Sequence, residues 1–428
     1  MALRRSARLV PDDAAAKRTV SAAPKWQTWR CMAQQAQASP TKKREFTERQ
    51  FRLGTVPMRT CNTLFLRSSD SAERRELPFT GFELLFLGTS AGSPSVRRNP
   101  TALCFRTVKM PSTDRFFVTH LHGDHVYGLP GILCTLDNHN GSYLDPRTRK
   151  RVPRPISVYG PLGLFTFLNT AFMTSSTRLH NLVVTVHELV SPDIIDTASS
   201  FEKYASKAPG HPFLRREMIH AESDGNGLVW NVFQDENHTV KAATLKHTVT
   251  SFGYVVEERE MPGKLRPDLL IKRGLRPGPL YRMLKQGKSV ALPNGEVIHP
   301  ADVTGPPIRG RKAVILGDTA DSSRMFEIGR NCDVLVHEAT LSHDMVMQAV
   351  QRGHSTARMA GYTARRMNAT MLALTHFSHR FRHWVPGQGL IGTTQHLAHE
   401  AQITFGRKAV IPASDFLRIP IPRLSHDQ

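Results

Sequence analysis

Residues 117 to 131 read FVTHLHGDHVYGLPG, which places His120, His122, Asp124 and His125 within six positions, directly after a short apolar run. No other stretch constrains the chain as strongly, because these side chains converge only where a strand ends and the backbone turns at once. His120 and His122 are two apart, so at an extended strand end they point to the same side. Gly123 permits the turn, after which Asp124 and His125 face back toward the imidazoles. Imidazole and carboxylate without thiolate suit zinc or a similar divalent ion held for catalysis, and a carboxylate can bridge two ions.

The rest of the chain repeats the pattern of an apolar run closed by an ionisable residue. GFELLFLGT (81–89), RFFVTH (115–120), PISVYG (155–160), LVVTVHEL (182–189), KAATLKH (241–247), FGYVVEE (252–258), KAVILGD (312–318), DVLVHEA (333–339) and TMLALTH (370–376) read as strands. LGLFTFLNTAF after Pro161, SHDMVMQAVQRG before His354 and STARMAGYTARRMN after it read as helices. Strands flanked by helices predict a layered α/β domain. His247, Asp318 and His376 each follow such a strand, where rigid elements place side chains for a shared site. Any one of them alone is more often a hydrogen-bonded rim residue than a ligand. Joined to the cluster they make a set of seven, more than one tetrahedral ion needs. Two metals about 3.5 to 4 Å apart would use them all and would clamp a phosphodiester displacement.

A chain of 428 residues buries a large core without metal or disulfide staples, so an ion need not be structural. Cys31, Cys61, Cys104, Cys134 and Cys332 lie far apart with no CxxC pair, which argues against a disulfide framework or a thiolate zinc site. Lys plus Arg outnumber Asp plus Glu by 57 to 36, a formal net charge of +21, which favours a polyanionic partner, nucleic acid ahead of membrane. No run reaches the 18 or so apolar residues of a membrane span. Residues 1–44 carry ten basic residues and two acids amid Ala and Ser, a bias that fits an organellar transit peptide. Mitochondrial import is the expectation. The alternatives are a solvated basic tail, or a weak nuclear signal at Lys42-Lys43-Arg44 in a nuclear or cytoplasmic protein.

THLHGDH (119–125) is the signature of the metallo-β-lactamase superfamily, and its surroundings resemble one branch, the tRNA 3′-processing endonucleases called tRNase Z or RNase Z, in their short form. FLGTSAGSPSVRRNPTAL (86–103), YGPLGL (159–164), LKHTVTSFGYVVEE (245–258), GLRPGPLYRMLKQGKSV (274–290), GPPIRGRKAVILGDT (305–319), VLVHEAT (334–340), GHSTA (353–357) and LTHFSHR (374–380) follow in that family's order. The resemblance implies an αββα sandwich over residues 81–420, with a basic tRNA-binding arm at about 258–300, an extension at 1–80 and a tail at 421–428. It implies two zinc ions, one held by His120, His122 and His247 and one by Asp124, His125 and His376, with Asp318 shared. Asp124 would orient or deprotonate the attacking water. Glu338 and His354 are candidates for supplying the leaving oxygen's proton, since a carboxylate beside an imidazole raises its pKa. Glu338 could equally tie a strand end to a helix.

The implied substrate is precursor tRNA, cut to leave a 3′-OH by what is expected to be a homodimer. The arm offers Lys264, Arg266, Lys272, Arg273, Arg276, Arg282, Lys285 and Lys288 against one acid, Asp268, and the opening motif adds Arg97, Arg98 and Asn99. A basic run of this kind is by itself more often a solvated loop. The sequence departs from the family in two places. Only FRTVKMPSTDRF (105–116) stands where the family has a further strand and helix before its histidine motif, and Val96 replaces a common Lys. A metallo-β-lactamase-fold hydrolase of small esters or thioesters, or an RNA-binding homologue impaired by the short interval, are the other readings.

Overall fold

Alternation of apolar side chains along the strands sorts this molecule into layers. The computed structural model describes residues 82–105, 113–139, 143–145, 147–198, 202–203, 211–225 and 227–423. The basic extension at 1–80 and all but the first residues of the 421–428 tail lie outside the described residues. The largest sheet runs β18 (Val410–Pro412), β17 (Met371–Thr375), β16 (Val334–Glu338), β15 (Lys312–Leu316), β12 (Ser251–Glu258), β11 (His238–Leu245), β10 (Leu228–Gln234) and β9 (Glu222–Ser223). From β15 to β18 the pairing is parallel, and from β15 back to β9 it is antiparallel.

Two smaller sheets cover one face of it. One is parallel, in the order β3 (Arg115–Phe117), β6 (Arg154–Pro161), β7 (Leu182–Val190) and β8 (Leu214–His220). The other is antiparallel, with β1 (Glu83–Gly88) between β19 (Arg418–Pro420) and β2 (Ala102–Phe105). Tyr159 and Leu189 meet Trp230, Ala242, Phe252 and Tyr254 across the first interface, while Leu84 and Phe86 meet Ala313, Val334, Val336 and Ala373 across the second. The opposite residues of the same strands face helices. Val158, Val184 and Val186 pack on α2 (Leu129–His139) and α3 (Leu164–Thr174). Val255, Leu335 and Leu372 pack toward α9 (Ala357–Arg366) and α10 (Thr394–Phe405). The expected αββα order is present. Every strand and helix read from the sequence is found, whereas β2, β8, β10, α2 and α10 carry too little periodic signal to have been read.

The short interval after the opening motif leaves its mark on the covering layer. β2 and β3 end their respective sheets, and among the described residues no strand pairs with the outer edge of either. Val256 touches both interface clusters, so it marks the seam between the two small sheets. Val256 and Ile315 point to the covered face of central strands, yet both are only half-buried, unlike Val336 and Tyr254 beside them. A closed covering layer would have buried them.

Residues 261–308 form a separate module. Met261 and Ile308 exchange backbone hydrogen bonds, and Gly305 N donates to Lys264 O, so two chain segments leave the body as a stem. A Cβ at Gly263 would sit 1.9 Å from Gly305 O, which is why the close crossing needs glycine there. Beyond the stem, α5 (Pro267–Lys272), α6 (Pro279–Lys285), the β13 (Val290–Ala291) and β14 (Val297–Ile298) hairpin and α7 (Pro300–Val303) enclose Leu270, Leu284, Val290, Ile298 and Val303 in a small core. Each helix starts with Pro, whose missing N–H costs nothing in a first turn.

The seam predicts unequal costs for similar truncations. Leu335→Ala, at a fully buried position, should destabilise by about 2 to 5 kcal/mol, and Ile315→Ala by about 1 kcal/mol, because less apolar surface leaves water there. Urea midpoints of the two variants decide it; equal losses would show that the seam over Ile315 is closed in solution.

Candidate metal centre

The histidine motif is delivered by backbone stitching between layers. Val118 N donates to Tyr159 O and Phe252 N donates to Thr119 O, so the segment leaving β3 is held by β6 and β12 together, and His120 ends fully buried. Helix α1 (Gly123–Val126) is a single turn with His122 as its N-cap, which swings Asp124 and His125 back over the strand ends. Asp318 leaves β15, its carbonyl held by Ser251 Oγ. His376 leaves β17 at φ 55°, a left-handed conformation strained for a side chain of this size. Backbone bonds from Phe377 N to Thr89 O and from Ala91 N to Phe377 O hold that bend against the end of β1.

These segments bring all seven residues together. His120, His122, His247 and Asp318 present ligand atoms within 4.8 Å of one another, as do Asp124, His125 and His376, and as do Asp318, His354 and His376. Asp318 Oδ2 lies 3.6 Å from His120 Nε2, 3.5 Å from His125 Nε2 and 3.2 Å from His376 Nε2. Asp124 Oδ2 lies 3.3 Å from His125 Nε2 and 3.5 Å from His376 Nε2, and it accepts a hydrogen bond from Gly92 N at 2.8 Å. His122 uses Nδ1, which stands 3.2 Å from His247 Nε2.

The far sides of the rings are committed elsewhere. His247 Nδ1 donates to Gly353 O at 2.7 Å, leaving the Nε2 lone pair to the centre. Gly353 has φ 76°, and a Cβ there would meet His247 Nδ1 at 2.7 Å, so glycine is required for this carbonyl to approach. His376 Nδ1 meets Thr340 Oγ1 at 2.9 Å, and Thr340 donates its proton to Glu338 Oε2. His120 Nδ1 meets Thr119 Oγ1, while its Nε2 is buried without any hydrogen-bond partner. An orphaned imidazole lone pair beside a buried carboxylate fits a divalent cation, and a second shell that fixes tautomers is what zinc sites use.

Protonation shows the same need. Burial, then the charge on His125, pushes His120 down to about 2. Burial likewise lowers His122 and His247. Burial would also lower His125, but Asp124 and Asp318 outweigh it and raise it to about 10. Burial opposes ionisation of Asp124 and Asp318, yet the surrounding histidines hold both below the ordinary carboxylate range. Two buried carboxylates thus draw a proton onto His125, a charge that a bound cation would supply in its place.

His354 stands beside this cluster, its Nδ1 3.3 Å from Glu338 Oε1 and 3.8 Å from Asp318 Oδ2. Burial alone would lower it, but Glu338 and then Asp318 raise it to about 9. Glu338 is itself buried, and its Oε1 accepts from Thr319 N at 2.7 Å, so it both braces the end of β15 and charges His354. Sequence reasoning missed Thr340, Gly92 and Gly353, which act through a hydroxyl or the backbone and carry no ligand signature. It also missed Arg352, His379 and Arg380, which line the cleft over the centre.

The residues proposed for RNA contact lie apart from the metal ligands. Lys264, Arg266, Lys272, Arg276, Arg282, Lys285 and Lys288 are exposed on the projecting module. Arg273 is half-buried and pairs with Glu296 and Asp302, and Arg266 pairs with Asp268. On the opening turn Arg97 is exposed, Val96 is fully exposed at the tip, and Arg98 is 4% exposed with its guanidinium 5.3 Å from the Phe377 ring centre. Of the two arginines on that turn Arg97 is therefore open to solvent, while Arg98 packs on the segment that carries His376.

The chain is 35% identical to zinc phosphodiesterase ELAC protein 1 of Homo sapiens over 367 residues, covering 79% of this chain and 98% of that protein. It is 32% identical to ribonuclease Z of Bacillus velezensis over 365 residues, covering 80% and 99%. The chain belongs to the ribonuclease Z family. No protein-family model matches it. The crystal structure of human tRNase Z, short form, superposes with a TM-score of 0.50 at 26% identity, covering 79% of this chain and 99% of that one. The chain has the metallo-β-lactamase fold expected from its motif order, with a donor set suited to zinc.

Thr340 provides a direct test of the second shell. Thr340→Val keeps the volume but removes the hydroxyl between Glu338 and His376, so zinc affinity should fall roughly 10- to 100-fold. Competitive chelator titration measures it; unchanged affinity would show that His376 is oriented without this hydroxyl.

Proposed function

We propose that this chain is a zinc-dependent endoribonuclease that removes the 3′ trailer of precursor tRNA and leaves a 3′-OH on the tRNA. One observation carries the reading: a part-buried cluster of seven ligand-type residues opens into a cleft, in a chain that also has a basic module with its own small core. In this reading one zinc is held by His120, His122 and His247 and a second by Asp124, His125 and His376, with Asp318 shared. When bound, the ions would supply charge that neutralises the phosphate and lowers the pKa of the attacking water.

The protein's own groups do the rest. Asp124, fixed by Gly92 N, accepts the water's hydrogen bond and takes its proton as the water attacks phosphorus. The bond from phosphorus to the 3′ oxygen of the tRNA breaks, and the phosphate stays on the 5′ end of the trailer. His354, kept protonated by Glu338, gives its proton to that 3′ oxygen. Lysines and arginines of the module hold tRNA phosphates without reading sequence. The same reading takes the enzyme as a homodimer, as the short-form resemblance implies, and as mitochondrial, which the basic, Ala- and Ser-rich first 44 residues support.

His122→Ala or Asp318→Ala should abolish cleavage of a precursor tRNA, read as a 3′-end map of products, while tRNA binding persists; cleavage by either variant would sink the two-metal assignment. Replacing residues 265–303 by a short Gly-Ser linker should weaken tRNA binding and flatten its dependence on salt, with hydrolysis of a small phosphodiester retained. An equal loss on both substrates would make the module structural.

Glu338→Gln removes the charge that raises His354 to about 9, so the protonated fraction falls and the alkaline limb of the rate profile should move to lower pH. The rate at neutral pH should drop about fourfold, as the protonated fraction falls once the imidazole returns toward its ordinary value of about 6.5. A limb that stays in place would assign the proton to another group.

A further inference from the structure

We propose that the loop between β17 and α10, residues 379–393, is a platform for the single-stranded 3′ trailer, with Trp384 stacking on a trailer base and Arg380 meeting a phosphate. The proposal rests on the reading that this chain cuts precursor tRNA, and it names the part of the substrate that the loop holds.

The loop begins at the metal centre. Arg380 is four residues beyond the ligand His376, and His379 and Arg380 both line the cleft that contains Asp124, Asp318 and His354. Its base is built into the fold. Phe381 is 4% exposed in the core under α9 and α10, Arg382 N donates to Gly392 O at 3.0 Å, and Thr394 N donates to Arg382 O at 2.9 Å. Beyond that zipped base, Gln388 N donates to Val385 O at 3.1 Å, and Trp384 Nε1 donates to Gln388 O at 3.1 Å. The indole's one polar atom is thus satisfied inside the loop, and what it offers outward is ring surface.

That surface stays in solvent. Trp384 is 42% exposed, Val385 50% and Ile391 83%, three large apolar side chains left in solvent on a loop that starts at the cleft. The loop is cationic in sequence: Arg380 and Arg382 are exposed, and His383 feels Arg98 and Arg97 of the opening turn together with Asp415. No Asp or Glu occurs from His376 to His399. An exposed indole amid guanidinium groups suits a chain that alternates aromatic bases with phosphates. The acceptor stem is duplex, with its bases already paired and stacked, so the strand free to lay a base on Trp384 is the trailer.

The test uses the full chain with zinc and compares Trp384→Ala, Trp384→Phe and wild type on three substrates. These are a precursor tRNA with a long unstructured trailer, the same tRNA with a single-nucleotide trailer, and a small phosphodiester. Trp384→Ala should raise KM for the long trailer about tenfold with little change in kcat, as loss of one stacked base predicts. The other two substrates should be cut as by wild type, which also shows the variant to be folded, and Trp384→Phe should recover most of the KM. A KM that is unchanged on the long trailer, or that rises equally on both tRNAs, overturns the proposal. A wild-type chain that cuts neither tRNA would refute the proposed function instead, and a Trp384 that binds some protein rather than RNA would show as a variant kinetically identical to wild type.

Discussion

Asp318 is the group on which the rest of this structure turns. It is a carboxylate 3% exposed, with His120, His125, His376 and His354 all within 4 Å of its Oδ2 oxygen. A lone buried carboxylate would cost more than folding could offset. Here the cost is met by imidazoles, and the imidazoles in turn leave one orphaned lone pair, at His120 Nε2. A cation held at that position would balance the arrangement, so the protein's charges and its chemistry are one problem.

The layers follow from that requirement. Ligands arrive from β3, β11, β15 and β17, which belong to two different sheets, so the centre exists only while those sheets stay in register. Backbone bonds from Val118 to Tyr159 and from Phe252 to Thr119 set that register within two residues of His120. The unpaired edges of β2 and β3 lie in the same covering layer but on the far side of β3, where Val256 and Ile315 remain half-exposed. The ligand set is complete despite this seam.

The basic side chains of the 261–308 module are set apart from the ligand cluster in the fold. The basic module keeps its own core of leucine, valine and isoleucine and joins the body through a two-segment stem at Gly263. The 379–393 loop, by contrast, is continuous with a metal ligand. The module joins the body through its stem, whereas the loop starts three residues after His376 and carries Trp384 five residues further along the chain.

By itself the sequence picked out the seven residues that the fold gathers, because residue type and strand-end position are local properties. HxHxDH, and the single ionisable residues closing the runs at 247, 318 and 376, were legible for that reason. The order of motifs likewise determined the layered fold. What only the tertiary structure decided is how those ligands are aimed. Thr340 reads as an ordinary hydroxyl until β16 and β17 pair and set it between Glu338 and His376. Gly353 and Gly92 act through backbone atoms that no side-chain pattern records. Arg98 looks like its neighbour Arg97 in the sequence and differs only in that the fold turns it inward, over Phe377. Distances between segments that lie far apart in the chain are set by packing, and orientation within a metal site is such a distance.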